Sequence, residues 1–164
     1  MATTALGDET ATTTGDLPAK GAQAPSFTLV ADDLSELSSG DLTGRTVLNI
    51  FPSIGTGVCQ ASVRRFNELA NDLDDATVVN VSVDLPFALQ SFCAAEGLDN
   101  VKVGSAFRSS FGDDYGVRLT ETKFEGLLAR AVVVVDADGT VLHSELVPQI
   151  GQEPDYDAAL ASLA

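Results

Sequence analysis

At 164 residues, 45% of them hydrophobic, the chain is long and apolar enough to bury one core, which excludes a disordered body and predicts one globular unit. Twenty-four acidic residues against nine basic ones give a formal charge of −15, so no cationic stripe is left for nucleic acid or anionic lipid, and neither is expected as a partner. No apolar run approaches the roughly 18 residues of a membrane span, and two cysteines are too few for a disulfide scaffold.

Met1 to Thr14 is threonine-rich and acidic, without the basic and apolar regions of an export signal, and a cytoplasmic location is expected. Residues 1–20 read as an N-terminal arm or a short edge hairpin. Phe27 to Val30 is a short apolar run before an acidic loop. Thr46 to Phe51 is a nearly continuous apolar strand of the kind buried on both faces, stopped by Pro52.

After a loop from Ser53 to Val58, apolar residues recur at Cys59, Val63, Phe66, Leu69, Ala70 and Leu73, the spacing of an amphipathic helix. Thr77 to Val83 is a second β-branched strand. Pro86 suits the first position of a helix that runs to Glu96 and stops at Gly97. The signals then weaken, with a short strand at Val101 to Val103 and a short helix at Ser109 to Tyr115 ended by Gly116. Ala131 to Val135 is a buried strand, Asp136 to Gly139 a turn, Thr140 to Val147 an antiparallel return, and Pro154 to about Leu163 a last helix. The strong elements run β, α, β, α, β, β, α. Parallel crossovers followed by a hairpin predict an α/β thioredoxin-like fold, a central mixed β-sheet flanked by helices, with an N-terminal extension.

Cys59 falls in the first turn of its helix, where unpaired N–H groups and the helix dipole favour a thiolate. Thr56, three residues earlier, is in register to cap that helix and to reach the sulfur or an oxygen bound beside it. Position alone leaves Cys59 balanced between a nucleophile and an inert core cysteine, Thr56 between donor and plain cap, and Pro52 as a strand terminator. Arg130 opens a buried strand, where a charge needs an anion or a route to solvent. A thiolate and a peroxide would receive it; snorkelling from the strand end is the other reading. Cys93, beside Leu89 and Phe92, looks like packing. A bridge to Cys59 across 33 intervening residues requires Cα atoms within roughly 7 Å, which two helices seldom allow without local unwinding. His143, the only histidine, sits on a half-exposed strand face, and the cysteines and histidine match no zinc pattern. Neither a metal nor an organic cofactor is expected.

The segment Phe51-Pro52-Ser53-Ile54-Gly55-Thr56-Gly57-Val58-Cys59, followed by Ala61 to Asn67, resembles the active-site segment of the bacterial thiol peroxidases, a branch of the peroxiredoxins. Asp84 to Ala88 running to Phe92-Cys93, Gly126 to Ala131, and Glu153 to Tyr156 resemble the same branch, so the likeness extends from about Leu17 to the end. The resemblance implies that residues 21–164 form a thioredoxin-like peroxidase domain. It further implies that Cys59 attacks the peroxide, that Pro52, Thr56 and Arg130 complete the pocket, and that Cys93 resolves the sulfenic acid as an intrasubunit disulfide. Hydrogen peroxide and organic hydroperoxides are the implied substrates, thioredoxin the implied reductant, and a homodimer the implied assembly. The chain departs from the branch at Gly55, where Asp is usual, at Asn80, where some relatives carry a third cysteine, and over Thr120 to Phe124. Two other functions fit the residues less well. A thioredoxin-type oxidoreductase would place a second cysteine at position 62, which is serine, and a binding module would not need Cys59, Thr56 and Arg130 together.

Overall fold

The computed structural model describes residues 1–164. The chain opens with a hairpin of β1 (Thr3–Leu6) and β2 (Glu9–Thr12), which forms a two-stranded sheet of its own, apart from the main sheet. Ala11 is fully buried against Leu119, Ala129 and Ile150, and the Thr4 hydroxyl donates to the Val147 carbonyl at 2.8 Å. A small alanine and paired threonines let a polar-looking segment dock closely, which composition does not reveal.

Seven strands form the main sheet: β3 (Thr28–Ala31), β4 (Glu36–Ser38), β5 (Arg45–Ile50), β6 (Ala76–Ser82), β7 (Lys102–Ser105), β8 (Ala131–Val135) and β9 (Val141–Leu146). Their spatial order is β4-β3-β7-β6-β5-β8-β9. The central β5, β6 and β7 are parallel, and the remaining pairings are antiparallel. This is the expected mixed sheet. The apolar runs of β5 and β8 are central because both of their faces are covered.

The helices are α1 (Gly57–Ala70), α2 (Pro86–Glu96), α3 (Phe111–Asp114) and α4 (Tyr156–Ala161). On one face, Phe66 of α1 and Ala159 of α4 pack on Val47, Val78, Val132 and Val134. Leu89 of α2 joins Val63 of α1 over Val103. On the opposite face, Phe111 and Tyr115 stack at 4.3 Å over Leu48, Ile50, Val79 and Val81. No helix is long and apolar enough to cross a membrane.

The differences from the sequence reading are local. β4 emerges from the acidic loop because Leu37 alone needs burial and its polar neighbours give no periodicity. The last helix begins at Tyr156 rather than Pro154, since the Asp155 carboxylate accepts from the Ala158 N–H at 3.0 Å and caps it there.

Two glycines differ usefully. Gly97 ends α2 at φ 67° with open space where a Cβ would stand, whereas at Gly116, φ 66°, a Cβ would lie 2.5 Å from the Asp16 carbonyl oxygen. Gly97→Ala is expected to cost about 1 kcal/mol from backbone strain alone. Gly116→Ala should cost about 3 kcal/mol, since a main-chain clash is added. Urea unfolding of both variants measures the difference.

Candidate active site

The site is built where β5 ends. Its buried run delivers Phe51 and Pro52, both buried, to the C-terminal edge of the parallel strands, and the chain then turns through Ser53 to Gly55 into α1. Thr56 is the N-cap, with extended backbone at φ −102° and ψ 148°. Its hydroxyl oxygen accepts from the Cys59 N–H at 3.4 Å and donates to the Ser53 carbonyl at 3.3 Å. Cys59 therefore sits at the third helical position with its backbone fixed by the cap.

The Cys59 side chain is fully buried, among Phe51, Ile54, Val63, Leu89 and Val103. A polar tether lies beneath it: the Ser62 hydroxyl donates to the Cys59 carbonyl at 2.8 Å and accepts from Asn49 Nδ2 at 3.2 Å, and Asn49 Nδ2 also reaches Asn80 Oδ1 at 2.9 Å. Asn80, the position where some relatives carry cysteine, thus belongs to the sheet's polar support for α1.

Arg130 does not snorkel. It is only 2% exposed, the largest fully buried side chain of the molecule. Its Nη2 donates to Cys59 Sγ at 3.3 Å and its Nε to the Ile150 carbonyl at 2.7 Å, while Nη1 is buried without a partner. A buried guanidinium donor left without an acceptor is costly. A pocket of about 230 Å³ is lined by Arg130, Pro52, Thr56, Gly57 and Val58, with Leu6, Phe124 and Ile150 among its apolar walls.

Pro52, Thr56 and Arg130 thus meet at one pocket beside the buried Cys59. Cys93 does not join them. It lies half-buried on α2, touching the Cys59 cluster from outside, and lines a separate cavity of about 270 Å³ with Asp32 and Lys102. Both thiols are free. Burial, and secondarily the Asp32 carboxylate, pushes the Cys93 thiol up to about 11, so in this form of α2 it is protonated. The largest cavity, about 680 Å³, lies elsewhere, between β3, β4 and Ser109, and none of these residues borders it. Two features of the pocket escaped the sequence reading: the Ile150 carbonyl that orients Arg130, and the walls supplied by Leu6 and Phe124. A main-chain oxygen leaves no sequence signal, and the two walls come from distant loops.

A buried cysteine at a helix start on a thioredoxin-like sheet, with a guanidinium on its sulfur, defines a thiol redox site. The Redoxin family matches residues 19–160, and the chain belongs to that family. It is 56% identical over 158 residues to the thiol peroxidase of Corynebacterium glutamicum, covering 96% of this chain and 95% of that one. It is also 54% identical over 164 residues to the thiol peroxidase of Mycobacterium bovis, covering 99% of each. The solved peroxiredoxin-like protein from Aquifex aeolicus superposes with a TM-score of 0.92 at 34% identity, over 99% of this chain and 96% of that one. Within the Redoxin family, the chain stands among the thiol peroxidases.

The Cys93 environment has a measurable consequence. In a Cys59→Ser background, alkylation of Cys93 by iodoacetamide is expected to run roughly 100-fold slower at pH 8 than for an unhindered thiol. The rate should keep rising past pH 9, where a free cysteine's levels off. A plateau near pH 9 would show that α2 does not shield the thiol.

Proposed function

We propose that this chain reduces hydrogen peroxide and organic hydroperoxides by a two-cysteine cycle in which Cys59 is the nucleophile. The Arg130 contact to Cys59 Sγ, with Arg130, Pro52 and Thr56 lining one pocket beside the sulfur, is the observation that carries the reading. The Cys59 thiolate attacks one oxygen of the peroxide, the O–O bond breaks, and the departing oxygen takes a proton to leave as water or an alcohol. Cys59 becomes a sulfenic acid. Arg130 Nη1 and the first-turn N–H groups of Gly57 and Val58, which a helix leaves without intrahelical partners, stabilise charge on the departing oxygen. Thr56 holds the cap, and Pro52 closes the pocket and shields the sulfur from water.

Cys93 then attacks the sulfenic sulfur, an S–S bond forms, and hydroxide leaves as water with the proton of the Cys93 thiol. Because Cys93 borders a different cavity, α2 must loosen first. An external dithiol, thioredoxin in this reading, reduces the disulfide by exchange and is itself oxidised. The reading takes residues 21–164 as the peroxidase domain, the working assembly as a homodimer and the location as cytoplasmic. The thiol peroxidases at 54–56% identity support it.

The test follows peroxide consumption with thioredoxin and its reductase. Cys59→Ser is expected to abolish turnover; consumption at the native rate would sink the assignment. Cys93→Ser should still form a sulfenic acid but lose thioredoxin-driven cycling. Arg130→Gln, which removes a donor aimed at the developing charge, should slow sulfenic acid formation by roughly 100-fold or more. Stopped-flow measurement in the Cys93→Ser background isolates that step.

A further inference from the structure

Asp84 lies in the short link between β6 and α2, two residues ahead of the helix start and nine ahead of Cys93. Its carboxylate is half-buried and accepts three hydrogen bonds: from the Ser53 hydroxyl at 2.9 Å, the Ile54 N–H at 2.7 Å and the Ser82 hydroxyl at 2.6 Å. The Ser105 hydroxyl donates to the Asp84 carbonyl, and the Asp84 N–H donates to Ser82 Oγ at 3.2 Å. None of the four ion pairs in the molecule involves it. The carboxylate is therefore supported by neutral donors alone, and two of those donors belong to the loop that leads to Cys59.

The loop is otherwise held by the buried Ile54 side chain and by the Gly55 N–H, which donates to Ser53 Oγ at 3.1 Å. The Gln60 side chain donates to the Ile54 carbonyl at 3.0 Å from the helix side, and Gly55 is exposed. From Ser53 the bonding continues inward. The Ser53 carbonyl accepts from the Thr56 hydroxyl at 3.3 Å and from the Thr56 N–H at 3.2 Å, and the Thr56 hydroxyl oxygen caps the Cys59 N–H. A short chain of bonds thus runs from Asp84 through Ser53 and Thr56 to the reacting cysteine.

We propose that Asp84 is a positioning residue for the peroxide reaction: it holds the Ser53 to Thr56 loop in its reactive shape and ties that shape to the folded form of α2. The proposal rests on the peroxidase reading above. When α2 unwinds from its C-terminal end as far as Pro86 to bring Cys93 to Cys59, the link carrying Asp84 is freed and the loop loses its anchor. The reactive arrangement and the disulfide-forming arrangement then exclude each other through one carboxylate. Loss of the carboxylate penalises peroxide attack, which needs the ordered loop, and spares disulfide formation, which needs the loop released.

The experiment compares Asp84→Ala, Asp84→Asn and Ser53→Ala in the full chain. Three rates are measured by stopped flow and trapping: Cys59 oxidation by hydrogen peroxide in the Cys93→Ser background, disulfide closure with both cysteines present, and Cys59 alkylation by iodoacetamide. Hydrogen bonds to a charged acceptor are strong enough that Asp84→Ala should slow oxidation roughly tenfold or more. Closure should be unchanged or faster, and alkylation, which needs no loop to orient its target, should fall by less than oxidation. Asp84→Asn keeps one acceptor oxygen and should fall between native and Asp84→Ala, and Ser53→Ala should shift oxidation in the same direction by a smaller factor. Native oxidation rates in the folded variants would overturn the proposal. So would a parallel loss of all three rates, which is the mark of a merely structural residue. If Asp84→Ala fails to fold, Asp84→Asn and Ser53→Ala decide. Peroxide consumption that survives Cys59→Ser would instead overturn the peroxidase reading, whatever Asp84 does.

Discussion

The structure is organised around a guanidinium kept out of water. Burying Arg130 without a full set of acceptors is unfavourable by several kcal/mol, a large share of the stability of a domain this size. The fold offsets that cost at two of its nitrogens, through the Cys59 sulfur and the Ile150 carbonyl, and leaves the third buried without a partner. In the proposed reaction the bound peroxide would supply the missing acceptor, so function and stability would be opposed at this residue.

Holding Arg130 draws on elements far apart in the chain. The antiparallel register sets Ile50 opposite Ala131, so the end of β5, which launches the cysteine loop, lies beside the start of β8, which carries the arginine. The Val147 N–H donates to the Arg130 carbonyl at 3.0 Å and fixes its backbone from the β9 side. The N-terminal hairpin supplies the last constraint. The Ile150 N–H donates to the Ala5 carbonyl at 2.8 Å, and the Ile150 carbonyl in turn receives Arg130 Nε. Three successive bonds therefore connect the hairpin to the reacting sulfur, and Leu6 of the same hairpin walls the pocket. A segment that composition leaves without a role is coupled to the chemistry through the backbone.

What could be read from the sequence follows from which signals are local. β5, β6 and α1 are set by apolar runs and three-and-four spacing, and α2 by Pro86 and Gly97 at its two ends, so their limits are legible within a residue or two except at the end of α1, which stops at Ala70, three residues before Leu73. β1, β2 and β4 were faint or absent because short polar strands are stabilised by docking, which no period encodes. At the site, Thr56 as cap of the Cys59 helix was legible because both partners lie within one turn. Arg130 was ambiguous, since burial and snorkelling give the same sequence, and only β9 and the Ile150 turn close the route to solvent. Asp84 carries no local signal of its bonding, because its partners Ser53 and Ile54 are brought to it by the parallel pairing of β5 with β6.

The two cysteines occupy helices of unequal attachment. α1 buries Cys59, Ser62, Val63 and Phe66 over the sheet and is tethered beneath by Asn49. α2 buries only Pro86 and Leu89, both in its first half, so the turn carrying Cys93 is the weakly held end. What fastens that end is partial packing of Phe92, Cys93 and Leu98 on the Cys59 cluster, together with two surface contacts: the Arg64 to Glu96 ion pair, and the Arg64 guanidinium lying 5.3 Å from the centre of the Phe92 ring. A partly exposed pair and a surface cation–π contact contribute about 1 kcal/mol each at most. Displacing α1 would instead expose an apolar cluster and strip Arg130 of its sulfur acceptor. The less costly motion unwinds α2 from its C-terminal end towards Pro86. That motion would release Cys93 from the burial that keeps it protonated and leave the Arg130 to Cys59 contact in place, as the proposed cycle requires.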